Sequence, residues 1–243
     1  MSTLIAGHML MASASAFYSL YRIIKPFRIG IYGPSKTGKT TLDQYLTVPG
    51  DIEPIPDLFR TSHHKNNSVV GHEMPRATRK QIKWKNEKKS VISSDIAGQS
   101  QFKNMWVEDM FARDVEVVVY MIDDRVLNSP QFLVEAVAGF EYLVNNITKK
   151  EISKQISRKA RKNVKKYRPK VICLMINKMD NWWDEEARQL HHYGLLREHR
   201  IVAHFRNGLK CLRKAGFRAE VHPVSAQRGI NVEDTFLHLI DSM

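Results

Sequence analysis

Apolar and polar positions divide the chain into short strand-like runs, helix-like stretches and long polar intervals. Phe27 opens a β-rich run, FRIGIYG, which passes at once into the loop string GPSKTGKT and then the helix-like TLDQYL. RKQIKW and KSVISS read as two strands of a hairpin turning at Asn86-Glu87, and a further strand precedes Asp123-Asp124. VICLMI has no polar position and reads as a fully buried strand, and EVHPV as another strand that leads through turn residues into a helix ending in TFLHLI. Between these lies the helix-like QFLVEAVAGFEYLVNN. Two intervals break the alternation. Residues 48–77 hold four of the nine prolines and the polar tract TSHHKNNS, and read as a long loop. Residues 147–170 carry Ile152, Ile156, Ala160, Val164 and Tyr167 at spacings of four, four, four and three, which predicts a helix with a narrow apolar stripe.

Residues 3–21 contain no Asp, Glu, Lys or Arg. As a helix they would reach about 28 Å, close to the thickness of a bilayer core. His8, three serines and a threonine dilute their apolarity, so spanning a membrane, lying in its interface and packing on the protein's own surface all stay open for an N-terminal helix over residues 1–25. A cleaved signal peptide fits less well, because no basic region precedes the apolar run. Ser2 excludes N-myristoylation, and the terminal IDSM offers no cysteine to prenylate.

Charge changes this picture more than composition does. The 243 residues are 43% apolar, enough for a real core, and 38 Lys and Arg against 25 Asp and Glu leave +13. Arg22, Lys25 and Arg28 supply +3 in residues 1–28, and eleven basic residues against Glu151 supply +10 in residues 147–170, so the rest is neutral. Polyanions or an anionic membrane surface are expected to meet those two segments. If residues 3–21 span, the cations that follow put the body on the cytoplasmic side. Cys173 and Cys211 suggest neither disulfide nor zinc site and fit a reducing compartment. The ten histidines, including the adjacent pairs His63-His64 and His191-His192, lack the spacing of metal ligands.

Four strings carry candidate chemistry. Gly33, Gly38, Lys39 and Thr40 match G-x-x-x-x-G-K-[ST] between a strand and a helix. In that setting the backbone N–H groups of Gly33, Pro34, Ser35, Lys36, Thr37, Gly38 and the residues after them, less the imide of Pro34, converge on phosphates, Lys39 reaches β and γ oxygens, and Thr40 ligates Mg²⁺, with Thr41 beside it. Second, Asp95-Ile96-Ala97-Gly98-Gln99 ends a strand: Asp95 suits Mg²⁺ through water, the Gly98 N–H a γ-phosphate, and Gln99 an attacking water. Third, Asn177-Lys178-Met179-Asp180 follows VICLMI, and the Asp180 carboxylate would accept from guanine N1–H and its amine but finds no such pair on adenine. Fourth, Ser225-Ala226-Gln227 follows the last strand, where the Ala226 N–H suits a guanine carbonyl.

Taken in order, these strings resemble those of the Ras-like small GTPases of the P-loop superfamily over residues 26–243 apart from the two inserts. The resemblance implies an α/β fold, a mostly parallel central sheet with helices on both faces, GTP and GDP as ligands, and Mg²⁺ as cofactor. Trp106, seven residues after Gln99, with Phe111 and a strand beyond, is similar to the Arf, Sar and signal-recognition-particle-receptor β group. SAQRGINVEDTFLHL is closer to Rab and Ras proteins, with Gln227 where the family often has Lys. The switch threonine, a further Mg²⁺ ligand, is Thr78 or Thr61. Thr78 is preferred because PRAT directly precedes RKQIKW, lies 17 residues before Asp95 and resembles the Era-type P-x-T-T-R. Lys39 and Gln99 are then the catalytic pair. Slow hydrolysis is expected, with an activating protein supplying charge in trans and a protein effector reading the switch. An RNA- or ribosome-associated GTPase and a GTP-bound scaffold with negligible hydrolysis are the alternatives, although no RNA module is recognisable.

Overall fold

The computed structural model describes residues 27–46, 78–84, 87–96, 98, 103–149 and 157–241. The N-terminal run 3–21, the interval 48–77 with Thr61, Gln99 and residues 150–156 lie outside them. In chain order the elements are β1 (Phe27–Tyr32), α1 (Lys39–Tyr45), β2 (Thr78–Trp84), β3 (Glu87–Asp95), α2 (Lys103–Ala112), β4 (Val117–Ile122), α3 (Arg125–Asn128), α4 (Pro130–Lys149) and α5 (Arg158–Asn163). There follow β5 (Val171–Ile176), α6 (Met179–Trp182), α7 (Glu185–His192), two 3-10 turns (Leu196–Glu198 and Arg200–Phe205), α8 (Arg206–Lys214), β6 (Ala219–Pro223) and α9 (Val232–Asp241).

The six strands form one sheet in the order β2-β3-β1-β4-β5-β6. β2 is antiparallel to β3, and every other neighbouring pair is parallel. Fully buried parallel strands need apolar residues on both faces, and β4 and β5 are buried at every position. Their alternate residues serve separate cores. Val118, Tyr120 and Ile122 of β4 pack with Trp106, Phe111, Phe140 and Phe205, while Val117, Val119 and Met121 pack with Leu42, Phe236 and Leu239. The sheet is therefore covered by helices on both sides, as the resemblance implied.

Registers fix where the site forms. Ile31 of β1 pairs with Asp95 of β3 and, on its other side, with Val119 of β4. The phosphate-loop string, the Asp95 string, Asp123 and Asn177 thus all leave the carboxyl ends of adjacent parallel strands, the edge at which open α/β sheets bind ligands. Trp84 pairs with Glu87, so Glu87, expected in the hairpin turn, belongs to β3. Thr78 does not merely precede its strand: it is the first residue of β2, opposite Ser93.

The single basic helix expected over 147–170 is corrected. Residues 147–149 complete α4, and the next described helix is the short α5, capped by the Ser157 hydroxyl accepting from the Ala160 N–H at 3.2 Å. Ala160, Val164 and Tyr167, three of the five residues of the predicted stripe, are buried in the main core, where Tyr167 meets Phe111 edge-on with ring centres 4.9 Å apart. The stripe faces the body because β5 starts just beyond it, and Pro169 is buried there too. Arg158, Lys159, Arg161, Lys162, Lys165, Lys166, Arg168 and Lys170 remain exposed.

Candidate functional site

β1 delivers the loop Gly33 to Gly38 to the edge of the sheet, and α1 begins at Lys39. Gly38 caps α1 in a left-handed conformation, φ 91°, that an L side chain rarely adopts, and a Cβ there would lie 2.3 Å from Asn177 Nδ2. The phosphate loop and the NKMD string therefore touch directly. Lys39 is buried, and its Nζ donates to Pro34 O at 2.7 Å, so the ammonium lies across the loop rather than out in solvent. Thr37 Oγ1 donates to the same carbonyl at 3.1 Å, closing the turn.

Asn177 joins three of the four strings. Its Nδ2 donates to Thr37 O in the phosphate loop and its Oδ1 accepts from the Ala226 N–H, both at 2.8 Å. Asp180 Oδ1 accepts from Ser225 Oγ at 2.8 Å, so the carboxylate expected to read a base is already oriented by the string after β6. Lys178 adopts φ 55° at the start of α6, and Trp182 Nε1 donates to Asn177 O at 3.0 Å, fixing the turn from below. Gln227 is exposed. The remaining string, the second, enters through Gly98, where a Cβ would lie 2.3 Å from Gly33 O and 2.5 Å from Ser35 N; only glycine lets these backbones approach so closely.

For Mg²⁺, the candidate ligands offer hydroxyl and carboxylate oxygens, the donors this ion prefers. Thr40 is the second residue of α1, and Asp95 ends β3 beside β1. Thr78 sits opposite Ser93, two residues short of Asp95. The chemistry of these oxygens suits the ion, which Thr40, Asp95 and Thr78 would hold. Gln99 lies outside the described residues.

The structure adds two residues that the sequence did not single out. Asp123, directly after β4, is fully buried and binds Lys178 Nζ at 2.7 Å and Arg125 Nε at 2.9 Å. Arg125 Nη2 continues to Ser35 O at 2.9 Å. Their signal, an Asp-Asp-Arg after a strand, is indistinguishable from ordinary helix-start residues.

Two other carboxylate and histidine groups occur among the described residues. In the first, Arg218 donates to Glu220, and its Nη2 lies 3.1 Å from His238 Nε2, so a guanidinium already occupies the lone pairs a cation would need. In the second, His199 Nδ1 accepts the Ile201 N–H at 3.3 Å. With Nδ1 so engaged, only Nε2 faces the carboxylates, 3.4 Å from Asp184 Oδ1 and 3.7 Å from Glu186 Oε2, and it makes no hydrogen bond to either.

No protein-family profile matches the chain. No curated protein matches it either. Among solved structures, a bacterial selenocysteine-specific elongation factor, EF-Sec, is similar at 19% identity and a TM-score of 0.49. The similarity covers 90% of this chain and 29% of that one, so the chain spans less than a third of the length of the structure it matches.

Proposed function

We propose that this is a small GTP-binding protein that hydrolyses GTP to GDP as a conformational switch. The carrying observation is the Asn177 side chain, which bonds Thr37 O and the Ala226 N–H at once and so holds the phosphate loop, the base motif and the carbonyl-reading turn together. Lys39 neutralises phosphate charge, while Thr40, Asp95 and Thr78 would hold Mg²⁺, which would supply further charge neutralisation. Gly98 N–H meets the γ-phosphate and Gln99 orients the water. Asp180 reads guanine, with Ser225 and Ala226 beside it, and Thr41 closes the phosphate side. Activating protein and effector act on the switch in trans.

Asp180 also provides the test. Asn in its place presents an acceptor and a donor, which match the N1–H and the C2 carbonyl of xanthine, and loses the paired acceptance that the N1–H and amine of guanine need. Wild-type chain should bind fluorescent GTP in a form displaced by GTP and not by ATP, and Asp180→Asn should weaken GTP by about a hundredfold or more while improving XTP. Displacement by ATP and GTP alike would overturn the guanine assignment.

The exposed cations of 158–170 and the uncharged run 3–21 support attachment at the cytoplasmic face of a membrane. A second reading, RNA or the ribosome as the polyanion, is favoured by the burial of Val164 and Tyr167, which leaves the described residues 157–170 charge to offer but no apolar stripe to insert. No helix among the described residues is long and apolar enough to cross a membrane.

A further inference from the structure

We infer that Asp123 and Arg125 form a clamp that ties the base motif to the phosphate loop, with Arg125 a positioning residue for the part of the nucleotide beyond the α-phosphate. The inference rests on the nucleotide site proposed above and adds to it two residues that touch no expected ligand atom.

An ionised carboxylate buried as completely as Asp123 persists only if its oxygens are paired. Its partners come from two different strings. Oδ2 meets Lys178 Nζ at 2.7 Å, and Arg125 Nε lies 2.9 Å from Oδ1 and 3.1 Å from Oδ2. The Arg125 N–H adds a bond to Oδ1 at 3.1 Å, and the guanidinium lies over the Phe132 ring at 4.0 Å, so the side chain is fixed from three directions. From that position Nη2 donates to Ser35 O at 2.9 Å, across 90 residues of sequence.

Ser35 O belongs to the peptide whose N–H is that of Lys36. In a trans peptide the two groups point in opposite directions, so a donor on the carbonyl side leaves the N–H side facing away from Arg125. A charged donor on the oxygen polarises the amide and makes its N–H a stronger donor. In a loop that binds phosphate through N–H groups, this strengthens the hold on the anion without contact between arginine and phosphate. Lysine cannot substitute fully, because one ammonium cannot hold the fork between Asp123 and Ser35 that the guanidinium holds. Asp123 acts on both ends of the site, since it also anchors Lys178.

The test is competition of GDP and of GMP against fluorescent GDP on the full chain, because the ratio of their affinities isolates the β-phosphate and does not depend on the fraction of folded protein. Arg125→Ala should weaken GDP about tenfold with GMP unchanged, the size expected for one charge-assisted bond. Arg125→Lys should recover part of the ratio, and Asp123→Asn should weaken GDP and GMP together. An unchanged ratio in Arg125→Ala, or an equal fall for both ligands, would overturn the clamp while leaving the guanine site standing. Absence of GDP binding by the unaltered chain would remove the site and the clamp with it.

Discussion

Asp109 is a carboxylate placed among apolar neighbours, 1% exposed on α2. Arg113 donates to it through Nη2 at 2.7 Å and Tyr32 through its hydroxyl at 2.8 Å, while Arg113 also reaches Ile29 O at 3.1 Å, so the pair ties α2 to β1. Burial works against the Arg113 guanidinium, but the hydrogen bonds and charge of Asp109 outweigh it and hold the group above its ordinary value. Removing one partner of such a pair strands the other. Asp109→Asn, which keeps the shape and removes the charge, should therefore cost about 3 kcal/mol in denaturant unfolding. A loss below about 0.5 kcal/mol would mean that Arg113 finds a second partner.

At the scale of elements, the strands and the loops that follow them were legible because each is a local string: an apolar run sets the strand, and glycine or an amide residue sets the turn. Gly38 and Asn177 could each be assigned from neighbours within a few positions, even though their contact joins residues far apart in sequence. Asp123 and Arg125 were not legible, since their meaning lies in partners 55 and 90 residues away. The helix over 147–170 was misjudged for a related reason: periodicity reveals that a stripe exists but not what covers it, and the adjoining β5 draws Val164 and Tyr167 inward. The edge strand β6 shows the opposite case, in which polar residues cluster. Partial burial disfavours ionised Glu220, yet hydrogen bonds from His222 and Arg218 prevail and lower its carboxyl to about 2. A folded-state value below the unfolded one of about 4.3 means stabilisation that is complete above that pH and lost as pH falls toward 2. Thermal unfolding followed from pH 5 to 2 should fall less steeply for Glu220→Gln than for wild type, and parallel curves would argue against the cluster's contribution.

For the molecule as a whole, the parallel sheet separates two ends. The candidate site occupies the carboxyl edge, while Lys170, last of the exposed cations, immediately precedes the first residue of β5, and Phe27 begins β1 at the same pole. The exposed cations of 158–170 lie just ahead of β5 in the chain.

That arrangement makes the sheet an electrical spacer. The six residues of β5 extend about 20 Å at 3.3 Å each, more than two screening lengths of about 8 Å at physiological ionic strength. The exposed cations that end at Lys170 therefore do little to attract a nucleotide, and a polyanion neutralising them does little to expel one. Raising salt from 0.1 to 0.5 M should release the chain from RNA or anionic vesicles while GDP affinity, measured on the same preparation, shifts by less than about threefold. A parallel loss of both would show that the two ends communicate by a route other than the field between them. The proposed attachment and nucleotide occupancy can then vary independently, because the cations ahead of β5 and the candidate site lie at opposite ends of that strand.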